Sequence, residues 1–449
     1  MKIFPLVCVF AASVLASDPV SYKVHGQSWA QMGRLVHSSD SILADDKPYD
    51  VSGNSMQSLG GQLTIDAELG EHWKGSFGMG VFQISQSLGS VGGSINYPLW
   101  FNVSMWRAYI AQANLTYCVG SKENPWLSFT AGNFSENYNP DVKNLGLYLL
   151  RGPVYPGVLM SGFQEFDTDS TKATQTGFKI HNALGNFTQD LLFLNERNLP
   201  PTFDWSLAYV AKYRAFGALD IGGGVNFYRL IPYNSELETP GHLGGLAPQN
   251  SFQEIAPGDT VFYTHQGIKL MGMFSLDPKR WLPFGNMGAE DFKLYGEVAV
   301  IGVKNQGNYY KKIEERIPVM GGFNIPTFGI LDMLSFELEW YGSPYRNDLA
   351  LIGYPASIVA PWQDPKFPIP SPGPVKPGTY ADSTADNVKW SLFFQKTVSK
   401  HVRFTGQIAN DHYRPGPLPE AFINSVGGTQ AVLTRPSDWY YMARLGFFF

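Results

Sequence analysis

The chain ends in the stretch DWYYMARLGFFF, which runs from Asp438 to Phe449 and alternates between two kinds of side chain. One parity is apolar and aromatic and comprises Trp439, Tyr441, Leu445, Phe447 and Phe449. The other parity comprises Asp438, Tyr440, Met442, Arg444 and Gly446. A period of two residues predicts a β-strand with one apolar face and one polar face. A final strand this rich in aromatic residues is atypical of a soluble protein, because the chain ends of soluble proteins usually fray in water.

The N-terminus has the parts of a secretory signal peptide. Lys2 supplies a positive charge, Ile3 to Leu15 form a short apolar run, and Ala16 ends a small-residue cleavage site. The run is too short to span a membrane. We therefore predict a signal peptide over 1–16 and one exported domain over 17–449.

The composition of the mature chain limits the class of protein to which it can belong. Cys118 is its only cysteine, so it has no internal disulfide to stabilise it after export. None of its apolar runs approaches the roughly 18 residues of a transmembrane helix. The 47 Gly, 31 Phe, 23 Tyr and 11 Trp of the full chain suit curved strands and aromatic girdles. The net charge of the full chain, −5, argues against nucleic acid as a partner.

Sixteen segments have the composition and period of strands. They are 22–33, 56–70, 73–88, 103–118, 126–134, 171–184, 187–196, 203–214, 217–230, 260–275, 291–304, 316–325, 331–342, 387–397, 402–411 and 437–449. Alternation alone does not decide whether the apolar faces point into a soluble core or outward to lipid. Fourteen or eighteen strands also fit the sequence.

The lengths of the connections favour apolar faces that point outward to lipid. If the first strand rises from the periplasm, the periplasmic connections lie near 70–73, 119–125, 185–186, 214–216, 276–290, 326–330 and 398–401, and six of these seven are short. The outer connections lie near 34–55, 89–102, 135–170, 197–202, 231–259, 305–315, 343–386 and 412–436, and six of these eight are long. Short inner turns that alternate with long outer loops are typical of an outer-membrane barrel.

A strand that closes on a terminal Phe resembles the C-terminal signal of Gram-negative outer-membrane β-barrels. In that family the assembly machinery recognises the last strand, which here assigns the signal to Trp439, Tyr441, Leu445, Phe447 and Phe449. Strand number and loop layout resemble those of general porins. The resemblance implies an all-β, antiparallel, up-and-down transmembrane barrel in the outer membrane, in contact with its lipid. It also implies passive diffusion of small hydrophilic solutes and a homotrimer.

The polar parity of the predicted strands supplies the candidates for lining the lumen. These are Asp66, Glu68, Lys179, Lys212, Arg214, Lys269, Glu297, Glu337, Glu339, Lys389, Arg403 and Arg444. Facing rows of acid and base would make a transverse field that orients dipolar solutes. For any single residue, solvation of the lumen and local pairing are the simpler interpretation.

The resemblance also implies that the third outer loop, 135–170, folds into the lumen and narrows it. Its constriction candidates are Arg151, Glu165, Asp167 and Asp169, and carboxylates there would favour cations or polar neutral solutes. A solvated surface loop is the alternative, and loop 343–386 is a second candidate for the narrowing.

No motif for catalysis, a cofactor or a metal stands out. The histidines lack ligand spacing, and neither a Gly-x-Ser-x-Gly elbow nor a P-loop is present. Two alternatives remain open at this point. An outer-membrane hydrolase would use pairs such as Asp382-Ser383 or Asp411-His412, and a structural or adhesive barrel would bind a partner through the proline-rich loop 343–386.

Overall fold

The structure is a computed structural model that describes residues 20–39, 41–44, 47–50, 52–53, 55–87, 105–150, 173–196, 203–231, 250–256, 259–264, 267–281, 285–303, 312–341, 388–411, 433 and 435–449. The predicted signal peptide, most of the third outer loop and all of loop 343–386 lie outside these residues. The signal peptide and its cleavage therefore stay predictions.

The described residues form twenty β-strands. They are β1 (Val20–His37), β2 (Ser41–Ala44), β3 (Lys47–Asp50), β4 (Ser55–Leu69), β5 (Trp73–Ser87), β6 (Met105–Val119), β7 (Leu127–Glu136), β8 (Ala173–Leu184), β9 (Phe187–Asn195), β10 (Trp205–Ala215), β11 (Leu219–Ile231), β12 (Asn250–Ala256), β13 (Asp259–Thr264), β14 (Gly267–Leu276), β15 (Leu294–Ile301), β16 (Pro318–Asn324), β17 (Met333–Tyr341), β18 (Val388–Ser399), β19 (Val402–Asn410) and β20 (Trp439–Phe448). Two short 3₁₀ helices, Pro278–Arg280 and Ile313–Arg316, lie in connections. Among the described residues, no helix has the length and apolar character needed to cross a membrane.

Sixteen of these strands close an antiparallel barrel. Each barrel strand pairs with the next one along the chain, and β1 completes the ring by pairing with both β4 and β20. Each of the sixteen predicted segments overlaps one barrel strand. The predicted all-β, antiparallel, up-and-down barrel and its strand count are confirmed.

Two short hairpins outside the barrel were not predicted. Within the described part of the chain, β2 pairs only with β3, and β12 pairs only with β13. The predicted strand 260–275 is therefore wrong in its first part, because 259–264 belongs to the second hairpin and the barrel strand β14 begins at Gly267. The run Thr260-Val261-Phe262-Tyr263-Thr264 has high strand propensity wherever it pairs, so composition does not locate the break.

The two ends of the barrel differ in the length of their connections. At one end, which we call the short-turn end, the strands are joined by 70–72, 120–126, 185–186, 216–218, 277–293, 325–332 and 400–401. This end agrees with the predicted inner turns. Both described termini lie here, because Phe449 exchanges two backbone hydrogen bonds with Gly26, with N···O distances of 2.9 and 3.0 Å. The last residue of the chain is thus part of the sheet.

Apolar side chains cover the outside of the barrel. On β17, Phe336, Leu338 and Trp340 are exposed, whereas Ser335, Glu337 and Glu339 are buried. The same alternation occurs on β5, β14 and β15, where alternate apolar side chains are exposed. The apolar parity therefore faces outward and the polar parity faces the interior, which is the reverse of a soluble sandwich. Cys118 on β6 belongs to the interior parity and is 1% exposed.

Candidate functional site: the barrel interior

A segment that follows β7 crosses the interior of the barrel. Residues 137–150, which we call the interior segment, are buried almost throughout, and 141–149 are buried without exception. Lys212 on β10 donates to the Tyr138 carbonyl oxygen at 3.1 Å, and Asn226 on β11 donates to the Leu149 carbonyl oxygen at 2.8 Å. The segment starts at β7 and contacts strands from β10 to β17, so it lies inside the ring of strands.

Two interior carboxylates hold the interior segment by its backbone. Glu337 on β17 accepts hydrogen bonds from the N–H groups of Lys143, Asn144 and Leu145 at 2.5, 2.9 and 2.8 Å. Glu297 on β15 accepts from the N–H groups of Leu147 and Tyr148 at 2.9 and 2.8 Å. Buried N–H groups and buried carboxylates are each costly without a partner, and here each satisfies the other.

Hydroxyl groups extend this network. Tyr138 donates to Glu297 at 2.6 Å, Tyr148 donates to Glu339 at 2.9 Å, and Tyr295 donates to Glu337 at 3.0 Å. Side chains of Leu145, Leu147 and Leu149 pack with Met271, Met273 and Met320 from the wall. The interior segment is thus fixed by polar anchors and by an apolar contact.

A tight bend brings the interior segment against the wall. Gly146 and Leu147 both have positive φ, at 79° and 55°. The positive φ favours glycine at Gly146, and a Cβ there would lie 2.6 Å from the terminal methyl carbon of Met320, so a larger residue would require that flexible side chain to move. Leu147 carries the backbone strain, and its N–H is held by Glu297.

The predicted lumen residues fall into three groups. Glu297, Glu337, Glu339, Lys212 and Lys269 all bond to the interior segment, and Lys389 donates to the Leu433 carbonyl oxygen at 2.6 Å. Four others form local pairs: Asp66 with Ser76, Glu68 with Lys122, Lys179 with Glu136 and Asp190, and Arg214 with Asp220. Arg403 and Arg444 lie over aromatic rings. The role of all twelve predicted lumen residues in lining a pore stays a prediction, because most of the first group is buried against protein.

The constriction candidates Arg151, Glu165, Asp167 and Asp169 lie outside the described residues. The first part of the predicted third outer loop does enter the interior, through residues that were not singled out. The feature of the sequence that indicates this burial is the run Leu145-Gly146-Leu147-Tyr148-Leu149-Leu150, since a loop this apolar needs a protein surface to cover it.

The wall formed by β1, β4, β5 and β6 has a different character. Its mid-height interior positions are half-buried amides and hydroxyls, among them Gln27, Gln62 and Tyr109. Tyr109 donates to the Oε1 of Gln62 at 3.1 Å, and Gln27 donates to the same atom at 3.4 Å. Thr116 and Thr130 continue this side with hydroxyl oxygens 2.9 Å apart. The interior therefore has one side covered by the interior segment and another side whose mid-height positions are neutral polar groups.

A second connection reaches the interior from the other end of the barrel. Leu433 packs with Leu35, Ala409 and Tyr440. Asp438 is buried and accepts hydrogen bonds from the N–H and hydroxyl of Ser39 at 2.8 and 2.6 Å. Residues from the connection between β19 and β20 thus cover part of the wall at that end. Within the described part of the chain, no group of three or more His, Cys, Asp and Glu side chains is placed to hold a metal ion.

No protein-family model matches the chain, and no curated protein matches it. Solved structures of similar architecture include OprB of Pseudomonas putida, at 11% identity over 99% of this chain and 96% of that chain, with a TM-score of 0.45. A variant of the Rhodopseudomonas blastica porin matches at 6% identity over 96% and 100%, with a TM-score of 0.42. The outer membrane channel DcaP of Acinetobacter baumannii matches at 11% identity over 96% and 97%, with a TM-score of 0.41. These values are too low to carry an argument about function, which rests on the barrel itself.

Proposed function

We propose that this protein is a porin of the Gram-negative outer membrane, and that small hydrophilic solutes diffuse passively through its lumen. The observation that carries the proposal is the inverted barrel, with apolar side chains outside and polar side chains inside. An apolar outer surface is stable against lipid, and a closed sheet leaves no unpaired edge within it. Barrels of sixteen strands are wide enough to enclose an aqueous channel.

The interior segment supports the proposal in a second way. A channel of this width needs a constriction to sort solutes, and residues 141–149 are clamped across one side of the interior by Glu297 and Glu337. The facing side, with Gln27, Gln62 and Tyr109, offers neutral hydrogen-bonding groups to a passing solute. We propose that the water-filled path runs along this neutral side.

Orientation and assembly follow from the same proposal. The short-turn end faces the periplasm, and the aromatic residues of β20 contact lipid and carry the signal for the barrel assembly machinery. Leu445, Phe447 and Phe449 are exposed on the outer surface, where both roles require them. Assembly into a homotrimer is part of the proposal and rests on the resemblance alone.

Conductance in planar lipid bilayers tests the proposed function. Purified full-length mature protein should insert as stepwise increases in current, and liposomes that contain it should swell in isotonic sugar solutions. A silent bilayer, together with gel migration that changes on heating as a folded barrel requires, would reject the porin and leave a plugged structural barrel.

A further inference from the structure

A network of four ionisable side chains lies on the interior face of β7, β8 and β9. The Nδ1 of His181 on β8 lies 2.7 Å from the Oδ1 of Asp190 on β9. Lys179, also on β8, has its Nζ 3.3 Å from the same Asp190 oxygen and 2.5 Å from the Oε2 of Glu136 on β7. Each group therefore contacts the next, and the three strands carry no other ionisable side chain.

Two glycines bring Glu136 to Lys179. Lys179 pairs with Thr130, and Glu136 lies further along β7 by a distance that would be roughly 20 Å in a flat sheet, from the strand rise. Gly132 and Gly177 lie opposite each other between these positions, with φ of 119° and 150°. A Cβ at either glycine would lie 2.1 Å from a backbone carbonyl oxygen of the neighbouring strand, so this bend requires glycine at both positions.

The formal charge of the network depends on His181. Two carboxylates and one ammonium leave one negative charge when the imidazole is neutral, and a protonated imidazole brings the sum to zero. Because the carboxylate of Asp190 only accepts hydrogen bonds, Nδ1–H donates to it, and the proton that changes the charge binds at Nε2. The His181 side chain is 29% exposed and that of Asp190 is 6% exposed, so the imidazole is the more accessible of the two groups.

The ionisable groups around the network are of other types. On the strands beyond it, Lys212 of β10 donates to the Tyr138 carbonyl oxygen, Arg214 of β10 pairs with Asp220, and the Cys118 thiol of β6 is buried. The ionisable side chains of the interior segment have these partners: Glu297 for Tyr138, Ser275 and Lys293 for Asp141, the Pro140 carbonyl oxygen for Lys143, and Glu339 for Tyr148. Histidine is the side chain whose charge ordinarily changes between about pH 5 and 8.

We infer that His181 sets the ion preference of the lumen according to pH. The network borders the neutral side of the interior, because Lys179 pairs with Thr130 of that side. With a neutral imidazole, the uncompensated negative charge attracts cations into the water-filled path, and protonation of His181 removes this attraction. The inference rests on the proposed function and adds to it a cation preference that weakens as the pH falls.

Reversal potentials across a gradient of dilute KCl test this role in planar bilayers of uncharged lipid, at about pH 5 and about pH 8. His181→Gln keeps this position uncharged. Its cation-to-anion permeability ratio should equal that of the unmodified protein at the higher pH and exceed it about threefold at the lower pH. One unit charge at roughly 10 Å has this effect on a cation and an anion together at about 0.01 M salt, where the Debye length is roughly 30 Å. Other histidines titrate in both proteins, so the difference isolates His181.

His181→Lys makes the complementary change, since it fixes a positive charge at this position. Its permeability ratio should equal that of the unmodified protein at the lower pH and be about threefold smaller at the higher pH. His72→Gln, which removes a histidine from an exposed turn at the short-turn end, is the matched control. It should have the permeability ratio of the unmodified protein at both pH values.

A folded, conducting His181→Gln with the permeability ratio of the unmodified protein at both pH values would overturn the inference. A difference of the same size at both pH values would also overturn it. If His181→Gln does not fold, as judged by its gel migration, His181→Lys decides the matter in the same way. A silent bilayer with the unmodified protein would reject the proposed function and this role with it, whereas conductance without the pH-dependent difference would reject this role alone.

Discussion

At the scale of single residues, buried carboxylates in this barrel are stabilised by backbone N–H groups, and Asp291 shows this outside the strands. It is 1% exposed and joins two turns at the short-turn end. Its oxygens accept hydrogen bonds from the N–H groups of Gly288, Thr327 and Phe328 at 2.8, 3.1 and 3.1 Å. Burial alone would raise the pKa of Asp291, but these hydrogen bonds hold that pKa below its usual value.

Asp291→Asn should destabilise the barrel by about 1–3 kcal/mol at neutral pH, because an amide presents N–H donors to the turn's own N–H groups. A lowered pKa stabilises the fold above the unfolded value of about 3.9, and this stabilisation is lost as the pH falls through the folded-state pKa. The difference in heat stability between the two proteins should therefore persist to about pH 4 and shrink below it. Glu123→Gln, in an exposed turn at the same end, should show no such difference. A difference that is independent of pH would contradict this role.

At the scale of elements, the interior segment is held to the barrel wall by hydrogen bonds along its backbone. Glu337 accepts three consecutive N–H groups and Glu297 accepts two more, so the wall recognises the backbone of the segment and not only its side chains. Leu145, Leu147 and Leu149 add an apolar contact with the same wall. The position of the interior segment within the lumen depends on these hydrogen bonds and on the apolar contact.

Glu337→Gln should release part of this clamp, since the amide has one acceptor oxygen where the carboxylate has two. We expect higher single-channel conductance and more open-channel noise, because the segment then occupies several positions in the lumen. Glu314→Gln makes the same chemical change at an exposed site and should leave both quantities unchanged. Identical conductance traces for Glu337→Gln and the unmodified protein would show that the segment does not limit the current.

At the scale of the whole molecule, closure depends on the seam between β1 and β20. The seam continues to the last residue, where Phe449 and Gly26 exchange hydrogen bonds. The side chain of Phe449 points outward, where the edge of its ring lies over Gly26 and the rest of the ring is exposed. The resemblance to outer-membrane barrels assigns this residue a role during insertion.

Phe449→Ala should therefore lower the amount of folded protein in the outer membrane severalfold, while refolding from urea into detergent proceeds as for the unmodified protein. Phe328→Ala, which removes another exposed phenylalanine at the same end, is the control and should lower neither. An equal loss of folded protein in cells and in detergent would show that Phe449 acts in the stability of the barrel and not in its assembly.

The sequence was sufficient to predict the barrel and insufficient to predict its interior. Alternation located sixteen strands and placed Glu337 and Trp340 on opposite faces, because a period of two residues is a local property. The partners of Glu337 could not be predicted, since Lys143, Asn144 and Leu145 meet it across the lumen with nearly two hundred residues between them. Parity assigns a side chain to a face, whereas whether that face meets water or a loop depends on tertiary contacts.

Cys118 gives the barrel an experimental advantage. It is the one thiol of the predicted mature chain, and its side chain is 1% exposed. Maleimide reagents should therefore leave the unmodified protein unlabelled, so that no cysteine-free background has to be engineered. A cysteine introduced at Gln62, Thr116 or Gln27 would then report by its labelling rate how freely water and reagent reach each depth of the wall.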